Sequence, residues 1–191
     1  MRCMLAVVGR TAKSITTALA AIATLAFAAP ALAQAGEEPA VAVETPIDPA
    51  AVRQAAMSEA FGKESLRNGE FLWKDGTTAV DRLFLSLSEQ MIYAYASEEL
   101  VGVSTVSTGR HGHETRPGSF SILAKHRYYY SKKYDNAPMP YMQLITTYGV
   151  ALHAGPMPGY PASHGCIRLP TQFAANLFVT TRIGIPVRVA E

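Results

Sequence analysis

Residues 83–106 read LFLSLSEQMIYAYASEELVGVSTV, and this stretch decides the fold class. Leucine occupies every second position from Leu83 to Leu87, which is the period of a strand with one buried face. Two further runs, at 91–95 and 100–106, are rich in aliphatic and aromatic residues and are joined by a polar turn. The stretch therefore predicts successive short strands with tight connections.

The rest of the chain continues this pattern and adds one helix near its end. The apolar runs at residues 120–123, 142–152 and 185–189 predict further strands. Residues 171–179 place apolar side chains at helical spacing after Pro170, which suits a first helical turn. We expect a mainly β domain with this one late helix packed on it.

The first 33 residues are typical of a secretory signal peptide. Three basic residues and no acidic residue lie in its first part, and the run from Ile15 to Ala33 is almost wholly apolar or small. We predict cleavage before Gln34, which places the mature protein in the periplasm. The alternative is a retained membrane anchor, because the apolar run is nearly long enough to span a bilayer.

Beyond the signal peptide, the sequence predicts three parts. Residues 34–50 are rich in Ala, Pro and Glu, lack aromatic residues and predict a flexible linker. Residues 51–80 predict a partly helical N-terminal extension, and residues 81–191 form the main domain. Without residues 1–33 the chain has 14 basic and 15 acidic residues. This balance gives no support to binding of nucleic acid.

The segment 161–170, PASHGCIRLP, carries the residues with the most evident chemistry. In an extended segment His164, Cys166 and Arg168 share one face, and cations beside a thiol favour its nucleophilic thiolate form. Signal cleavage removes Cys3 and leaves Cys166 without a partner for an internal disulfide. We therefore predict a catalytic nucleophile at Cys166, in preference to a small buried core residue.

A cysteine nucleophile needs a base, and we predict that His153 is this base. His153 ends an apolar run and is followed by a loop with two glycines and three prolines, which can return the strand end to Cys166. A purely structural histidine is the alternative for His153. His164 is a second candidate base, but a residue two positions before Cys166 on a strand points alongside the sulfur. We therefore give His164 a positioning role.

Three other residues are candidates for the site. The backbone N–H groups of Gly165 and Cys166 are candidate donors to an oxyanion. Arg168 is predicted to bind a substrate carboxylate through its planar pair of donors, with an ordinary surface charge as the alternative. Tyr141 is a candidate to border the pocket, although core packing is the simpler interpretation.

Histidines elsewhere raise the possibility of a metal site. His111 and His113 are close in sequence, and His126 is the nearest third candidate. Zinc sites generally need three or four ligands in fixed geometry. We therefore expect neither a metal nor another cofactor.

Together, His153, the loop of glycines and prolines, and the run Ser163-His164-Gly165-Cys166-Ile167-Arg168 resemble the active-site signature of the L,D-transpeptidase catalytic domain. Residues 85–93 resemble the first hairpin of that family, and residues 107–109 and 115–120 resemble its next turn. The resemblance runs from residue 81 to residue 189.

This resemblance implies a β-barrel or sandwich fold and a cysteine acyltransferase that acts on peptidoglycan stem peptides. In the family, the thiolate attacks the L-centre carbonyl of the diamino acid at position three of a tetrapeptide stem. The terminal D-alanine leaves, and an amine resolves the thioester. Carried over, Cys166 is the nucleophile, His153 is the general base and acid, and the carbonyl of Ala154 orients His153. The other site residues that the resemblance implies are Ser163, His164, Gly165 and Arg168.

The sequence leaves the acyl acceptor open. It is either a second stem peptide or an amine of an outer-membrane protein or lipoprotein. With water as acceptor, the protein would be a hydrolase, either an L,D-carboxypeptidase or an amidase that releases wall proteins. A catalytically silent peptidoglycan-binding module and a periplasmic metal-binding protein are the alternatives from other classes.

Overall fold

The computed structural model describes residues 48–191, which form a mainly β structure. Two helices, α1 (Pro49–Phe61) and α2 (Thr171–Thr180), lie within this range, and neither has the length and apolar character needed to cross a bilayer. The strands of the described range are β1 (Phe71–Trp73), β2 (Arg82–Ser86), β3 (Met91–Ala96), β4 (Glu99–Thr105), β5 (Gly118–Ser121), β6 (Ala124–His126), β7 (Tyr130–Ser131), β8 (Ala137–Pro138), β9 (Met142–Leu144), β10 (Ala151–Ala154), β11 (Ile167–Leu169) and β12 (Pro186–Ala190). The predicted signal peptide and nearly all of the predicted linker lie outside the described residues.

The larger sheet has six strands in the order β1-β4-β3-β2-β12-β5. The last strand of the chain, β12, lies between β2, to which it is parallel, and β5, to which it is antiparallel. Its side chains alternate strictly, with Val187 and Val189 buried and Arg188 exposed. This alternation is what a strand with one face on the core requires.

The smaller sheet has the order β11-β10-β9-β6, and a cluster of buried residues joins both sheets to α2. Phe173 of α2 is fully buried, and its ring meets Trp73 edge-on at a centroid distance of 5.4 Å. Gly102 of β4 makes this contact possible, because a Cβ atom there would lie 2.6 Å from the Trp73 ring. Helix α2 thereby packs on the larger sheet, and the same buried cluster includes residues of the smaller sheet.

Helix α1 packs on a second cluster, which covers the other face of the larger sheet. Met57 is the buried residue of α1, and this second cluster consists of Met57 together with Tyr93, Leu100 and Val103. The helix begins where the side chain of Asp48 accepts a hydrogen bond from Ala50 N. It ends at a glycine in the left-handed conformation.

The predicted fold class and the helix at 171–179 are confirmed, and so are the strands within 83–106 and 185–189. The sheets of the described residues are not closed, so a sandwich describes them better than a barrel. The single strand predicted at 142–152 is wrong. The chain turns back between β9 and β10, where Val150 N donates to Thr146 Oγ1 and Ile145 N donates to Val150 O.

Candidate active site

The predicted nucleophile and the predicted base lie on neighbouring strands of the smaller sheet. Strands β10 and β11 are parallel, with His153 paired to Arg168 and Leu152 paired to Ile167. Leu152 and Ile167 point into the core, so His153 and Arg168 point to the opposite face. Cys166, one residue before Ile167, lies on this opposite face and contacts a separate small cluster that contains Ala151. The register therefore places Cys166 and His153 one diagonal step apart.

His153 is buried and held in one orientation by the backbone. Its Nδ1 lies 2.8 Å from the carbonyl oxygen of Ala154, so Nδ1 donates and Nε2 carries the free lone pair. Ala154 is itself fixed, because its N–H donates to the carbonyl of Pro140 at 2.9 Å. Burial lowers the pKa of His153, and the positive charge of Arg168 lowers it further, against the opposing effect of the carbonyl bond. A neutral imidazole with a free Nε2 is suited to take a proton.

Cys166 is half-buried, and its Sγ donates to the carbonyl of Gly149 at 3.6 Å. Burial raises the pKa of the thiol, although a backbone contact with Ala151 and the charges of Arg168 and Lys133 oppose this. The net effect is the reverse of what the flanking cations predict from sequence. Desolvation outweighs the favourable charges, so the resting group is a thiol that needs a base.

Ser163 and Gly165 form the turn that presents Cys166. Ser163 Oγ donates to the carbonyl of Cys166 at 2.6 Å and accepts from Gly165 N at 3.0 Å. Gly165 has φ of +108°, a conformation that favours glycine. The N–H of Gly165, a predicted oxyanion donor, donates to Ser163 Oγ in this structure, and its role towards an oxyanion stays a prediction. Within residues 48–191 the N–H of Cys166 has no hydrogen-bond acceptor, and it is the candidate oxyanion donor.

Among the described residues no hydrogen bond joins His164 to Cys166, and the contacts of His164 are with other side chains. Its Nε2 lies 2.9 Å from Arg110 Nη2, and its ring stacks on Tyr134 at a centroid distance of 4.6 Å. His113 meets the same ring edge-on at 4.8 Å. Because the Nε2 atom of His164 is occupied by Arg110, this side chain is placed to position its neighbours.

Arg168 extends over Gly155, where a Cβ atom would meet its Cγ at 3.1 Å. Among the described residues no carboxylate pairs with its guanidinium. It lines a cavity of about 280 Å³ together with His153 and Cys166. The charge of Arg168 is therefore available to an anionic group that enters this cavity.

Tyr141, predicted to bind substrate, packs against α2, and its role in binding stays a prediction. Its ring packs against Phe178 of α2 at 5.9 Å, with the guanidinium of Arg127 5.5 Å from the ring centre. Tyr141 is absent from the linings of both cavities that reach Cys166. Its left-handed backbone, with φ of +57°, turns the ring towards the helix.

Two cavities meet at Cys166 and His164. The larger, of about 650 Å³, is bordered by the hairpin that links β9 to β10 and by the loop after β4. Its basic side chains outnumber its single carboxylate, that of Glu114. The basic side chains lining it are His113, Arg116, His126, Lys132, Lys133 and His164.

The histidines considered as metal ligands are dispersed. His111 pairs with Glu114 at 3.3 Å, and His126 packs against Tyr129 at 5.7 Å. Within residues 48–191 no three His, Cys, Asp or Glu side chains are grouped so as to hold a metal ion.

Sequence reasoning missed aromatic and basic residues that three connecting segments contribute to the site. Tyr134, Lys133 and Tyr148 line the larger cavity, and Arg110 reaches His164 across the turn. The only sequence signal for them was their position in short polar or aromatic segments, which do not show what lies opposite in the fold.

Comparisons with known proteins give a consistent result. The model of the YkuD family, the L,D-transpeptidase catalytic domain, matches residues 81–189. An L,D-transpeptidase from Mycobacterium tuberculosis H37Rv is 26% identical, with a TM-score of 0.56 over 59% of this chain and 58% of that chain. One from Stackebrandtia nassauensis is 24% identical, with a TM-score of 0.55 over 71% of this chain and 65% of that chain.

A third solved structure is L,D-transpeptidase 3 from Mycobacterium tuberculosis in complex with a faropenem-derived adduct. It is 25% identical, with a TM-score of 0.53 over 59% of this chain and 60% of that chain. The match thus spans 58–65% of the length of these three solved proteins. No curated protein matches the chain. The family match covers more than half of the sequence, and the chain belongs to the L,D-transpeptidase catalytic domain family.

Proposed function

We propose that this protein is a periplasmic L,D-transpeptidase that forms a thioester between Cys166 and a peptidoglycan stem peptide. The observation that carries the proposal is that Cys166 and His153 lie one diagonal step apart on the same face of the smaller sheet. A thiol beside an imidazole that a third group orients is the arrangement used for cysteine acyl transfer. Membership of the family and the signal-peptide pattern at residues 1–33 support the substrate class and the location.

In the first half of the reaction, Nε2 of His153 takes the proton from Sγ of Cys166. The sulfur then attacks the L-centre carbonyl of the diamino acid at position three of the stem. The N–H of Cys166 donates to the oxyanion that forms. When the tetrahedral intermediate collapses, the C–N bond to the terminal D-alanine breaks, and the proton on His153 passes to the leaving amine.

In the second half, an acceptor amine attacks the thioester carbonyl, and Nε2 of His153 removes a proton from that amine. The C–S bond then breaks and the sulfur regains the proton. The two cavities that meet at Cys166 provide one approach for the donor stem and one for the acceptor. We propose a second stem peptide as the acceptor, with an outer-membrane protein or lipoprotein amine as the alternative outcome.

The charge of the site suits a substrate with free carboxylates. Arg168 in the smaller cavity lacks a carboxylate partner among the described residues, and the larger cavity has an excess of basic side chains. Stem peptides carry carboxylates at the diamino acid and at the terminal D-alanine. Charge-assisted hydrogen bonds from Arg168 therefore orient the stem for attack by Cys166.

Covalent labelling tests the nucleophile. The mature protein is incubated with faropenem, and its intact mass is measured beside that of Cys166→Ala. We expect one adduct on the wild-type protein and none on the variant, with equal thermal stability of the two proteins as the control. Unlabelled wild-type protein, or labelling that persists in Cys166→Ala, would overturn the proposed role of Cys166.

Product analysis separates transferase from hydrolase. A tetrapeptide stem is supplied with and without a diamino-acid acceptor, and the products are identified by mass spectrometry. A transpeptidase gives a new amide that depends on the acceptor, whereas a hydrolase gives the tripeptide in both cases. A purified protein that carries stoichiometric zinc would instead favour the metal-binding alternative.

The proposed location is tested in cells. We expect the protein in the periplasmic fraction with an N-terminus at Gln34. A membrane-bound protein that retains residues 1–33 would contradict the proposed cleavage.

A further inference from the structure

The β7–β8 hairpin borders both cavities that reach Cys166, and Tyr134 is the residue of its turn that lines both of them. Its two strands are only two residues each, and the residues on both sides of Tyr134 are exposed. Tyr134 alone in the turn 132–136 is half-buried. It borders both cavities that reach Cys166, so the position of the hairpin determines the shape of the entrance to the thiol.

The partner of Tyr134 is the ring of His164, two residues before the nucleophile. The two ring planes are 22° apart with centroids at 4.6 Å, which is a stacked contact. Within residues 48–191, the hydroxyl of Tyr134 makes no hydrogen bond to another side chain, so the face of the ring carries the contact. Aromatic stacking of this kind stabilises the placement of the hairpin.

Arg110 determines the state of the same imidazole. A guanidinium can only donate, so Nε2 of His164 accepts from Arg110 Nη2 and the ring proton lies on Nδ1. The ring must therefore be neutral for this bond to exist. The ring of His113 also contacts the ring of His164, in an edge-on arrangement.

We propose that Arg110 and Tyr134 are positioning residues that act through neutral His164 to hold the β7–β8 hairpin over Cys166. Arg110 fixes the tautomer and plane of the imidazole, and Tyr134 stacks on that plane. Neither residue touches the reacting atoms. The consequence for catalysis depends on the proposed acyl transfer, but the hairpin contact itself does not.

The contact also has a pH dependence with a definite sign. The groups that face His164 are Arg110 and His113 from the loop after β4, Lys133 and Tyr134 from the hairpin, and Arg168 from β11. Partial desolvation lowers the pKa of His164, and the charges of Arg110, His113, Arg168 and Lys133 lower it further. Protonation removes the acceptor for Arg110 and adds a like charge beside it. The contact is therefore complete above the ordinary histidine pKa and is lost as the pH falls through the lowered pKa.

Hydrogen exchange of the hairpin amides tests this directly, because it does not require catalytic activity. The wild-type protein is compared with Tyr134→Phe, Tyr134→Ala, Arg110→Lys and Arg110→Ala, at about pH 7.5 and about pH 5, each rate being normalised to that of the unstructured chain. At the higher pH we expect Tyr134→Ala and Arg110→Ala to exchange about three- to tenfold faster in residues 130–138. Tyr134→Phe, which keeps the ring, is expected to match the wild-type protein. Arg110→Lys, which keeps a donor, is expected to restore part of the protection.

Lowering the pH is expected to bring the wild-type hairpin close to the exchange rate of Arg110→Ala and to leave that variant little changed. Tyr130→Ala, at an exposed tyrosine of the same hairpin, is the matched control and should not alter exchange at either pH. Equal exchange in all variants would overturn the proposal, as would a pH effect of the same size in Arg110→Ala. The expected exchange pattern in a protein that faropenem does not label would refute the proposed function and leave the hairpin proposal standing.

Discussion

Two parts of the molecule border Cys166, and they are held in place in different ways. Strands β10 and β11 are paired neighbours in a four-stranded sheet, with the core on one face and the proposed reacting side chains on the other. The β7–β8 hairpin has two paired residues per strand and mostly exposed side chains. The chemistry thus rests on backbone register, whereas access to the chemistry rests on a few side-chain contacts.

This contrast predicts that changes on β10, on β11 and in the turn that leads into β11 alter the rate most, and that changes elsewhere alter it little. The largest effect is expected for Cys166→Ala. Removing the sulfur leaves no nucleophile, so faropenem acylation should fall below detection in intact mass spectra. The unfolding temperature should stay near that of the wild-type protein. Any residual acylation at the wild-type rate would show that another residue is the nucleophile.

The next largest effect is expected for His153→Gln. Glutamine can still bond to the carbonyl of Ala154 but cannot act as a base, and acylation should slow by about 10²- to 10⁴-fold. Acylation kinetics measured by rapid mixing would give this ratio. His164→Gln serves as the comparison, and we expect it to lose much less. A larger loss in His164→Gln would transfer the role of base to His164.

The pH profile of acylation is expected to follow His153. The pKa of His153 is lowered, and its neutral, proton-accepting form predominates above that pKa. As the pH falls below the pKa, the acylation rate should fall by about tenfold for each pH unit. Because the unfolded chain binds the proton first, stability should also fall as the pH drops below 6.5. In His153→Gln the rate should instead rise only towards alkaline pH, since the pKa of Cys166 is raised above 9.0. An unchanged profile in that variant would contradict the assignment.

An intermediate effect is expected for Ser163→Ala. The buried hydroxyl bonds to Gly165 N and to the carbonyl of Cys166, and its loss should lower the free energy of unfolding by about 1–3 kcal/mol. The turn that presents the thiol should loosen, so acylation should slow by about tenfold. Urea denaturation measures the first effect and labelling kinetics the second. Full stability with normal kinetics would show that the turn does not depend on Ser163.

The smallest effect is expected for Tyr141→Phe. The ring packs on Phe178 away from both cavities, and the change removes only a hydroxyl group. The KM for a stem peptide and the acylation rate should change by less than about twofold. A selective rise in KM would restore Tyr141 to the binding surface.

Local patterns in the sequence predicted most of the strands and the face on which the site residues lie. The alternation in residues 83–106 identified β2 to β4, and the run that contains Cys166 identified the strand face that carries Cys166 and Arg168. The sequence did not show the turn between β9 and β10. The hydrogen bond that Thr146 accepts there is local, and apolar residues stand on both sides of the turn, at 144–145 and 150–152. A single long strand fits that pattern equally well.

The sequence could not predict the balance of long-range effects at the site. Flanking cations suggested an ionised thiol, but burial of Cys166 depends on Met139, Met142 and Ala151 from other segments of the chain. Tyr134 and Arg110 reach His164 from segments 30 and 54 residues away in the sequence. Such contacts depend on how the sheets and the hairpin pack together.

The central claim is that Cys166, activated by His153, transfers a stem peptide to an acceptor amine. Purified peptidoglycan is treated with the mature protein or with Cys166→Ala, digested and analysed by mass spectrometry. We predict release of D-alanine and new amide links between two diamino acids with the wild-type protein alone. Unchanged peptidoglycan, or the same products with Cys166→Ala, would contradict the claim.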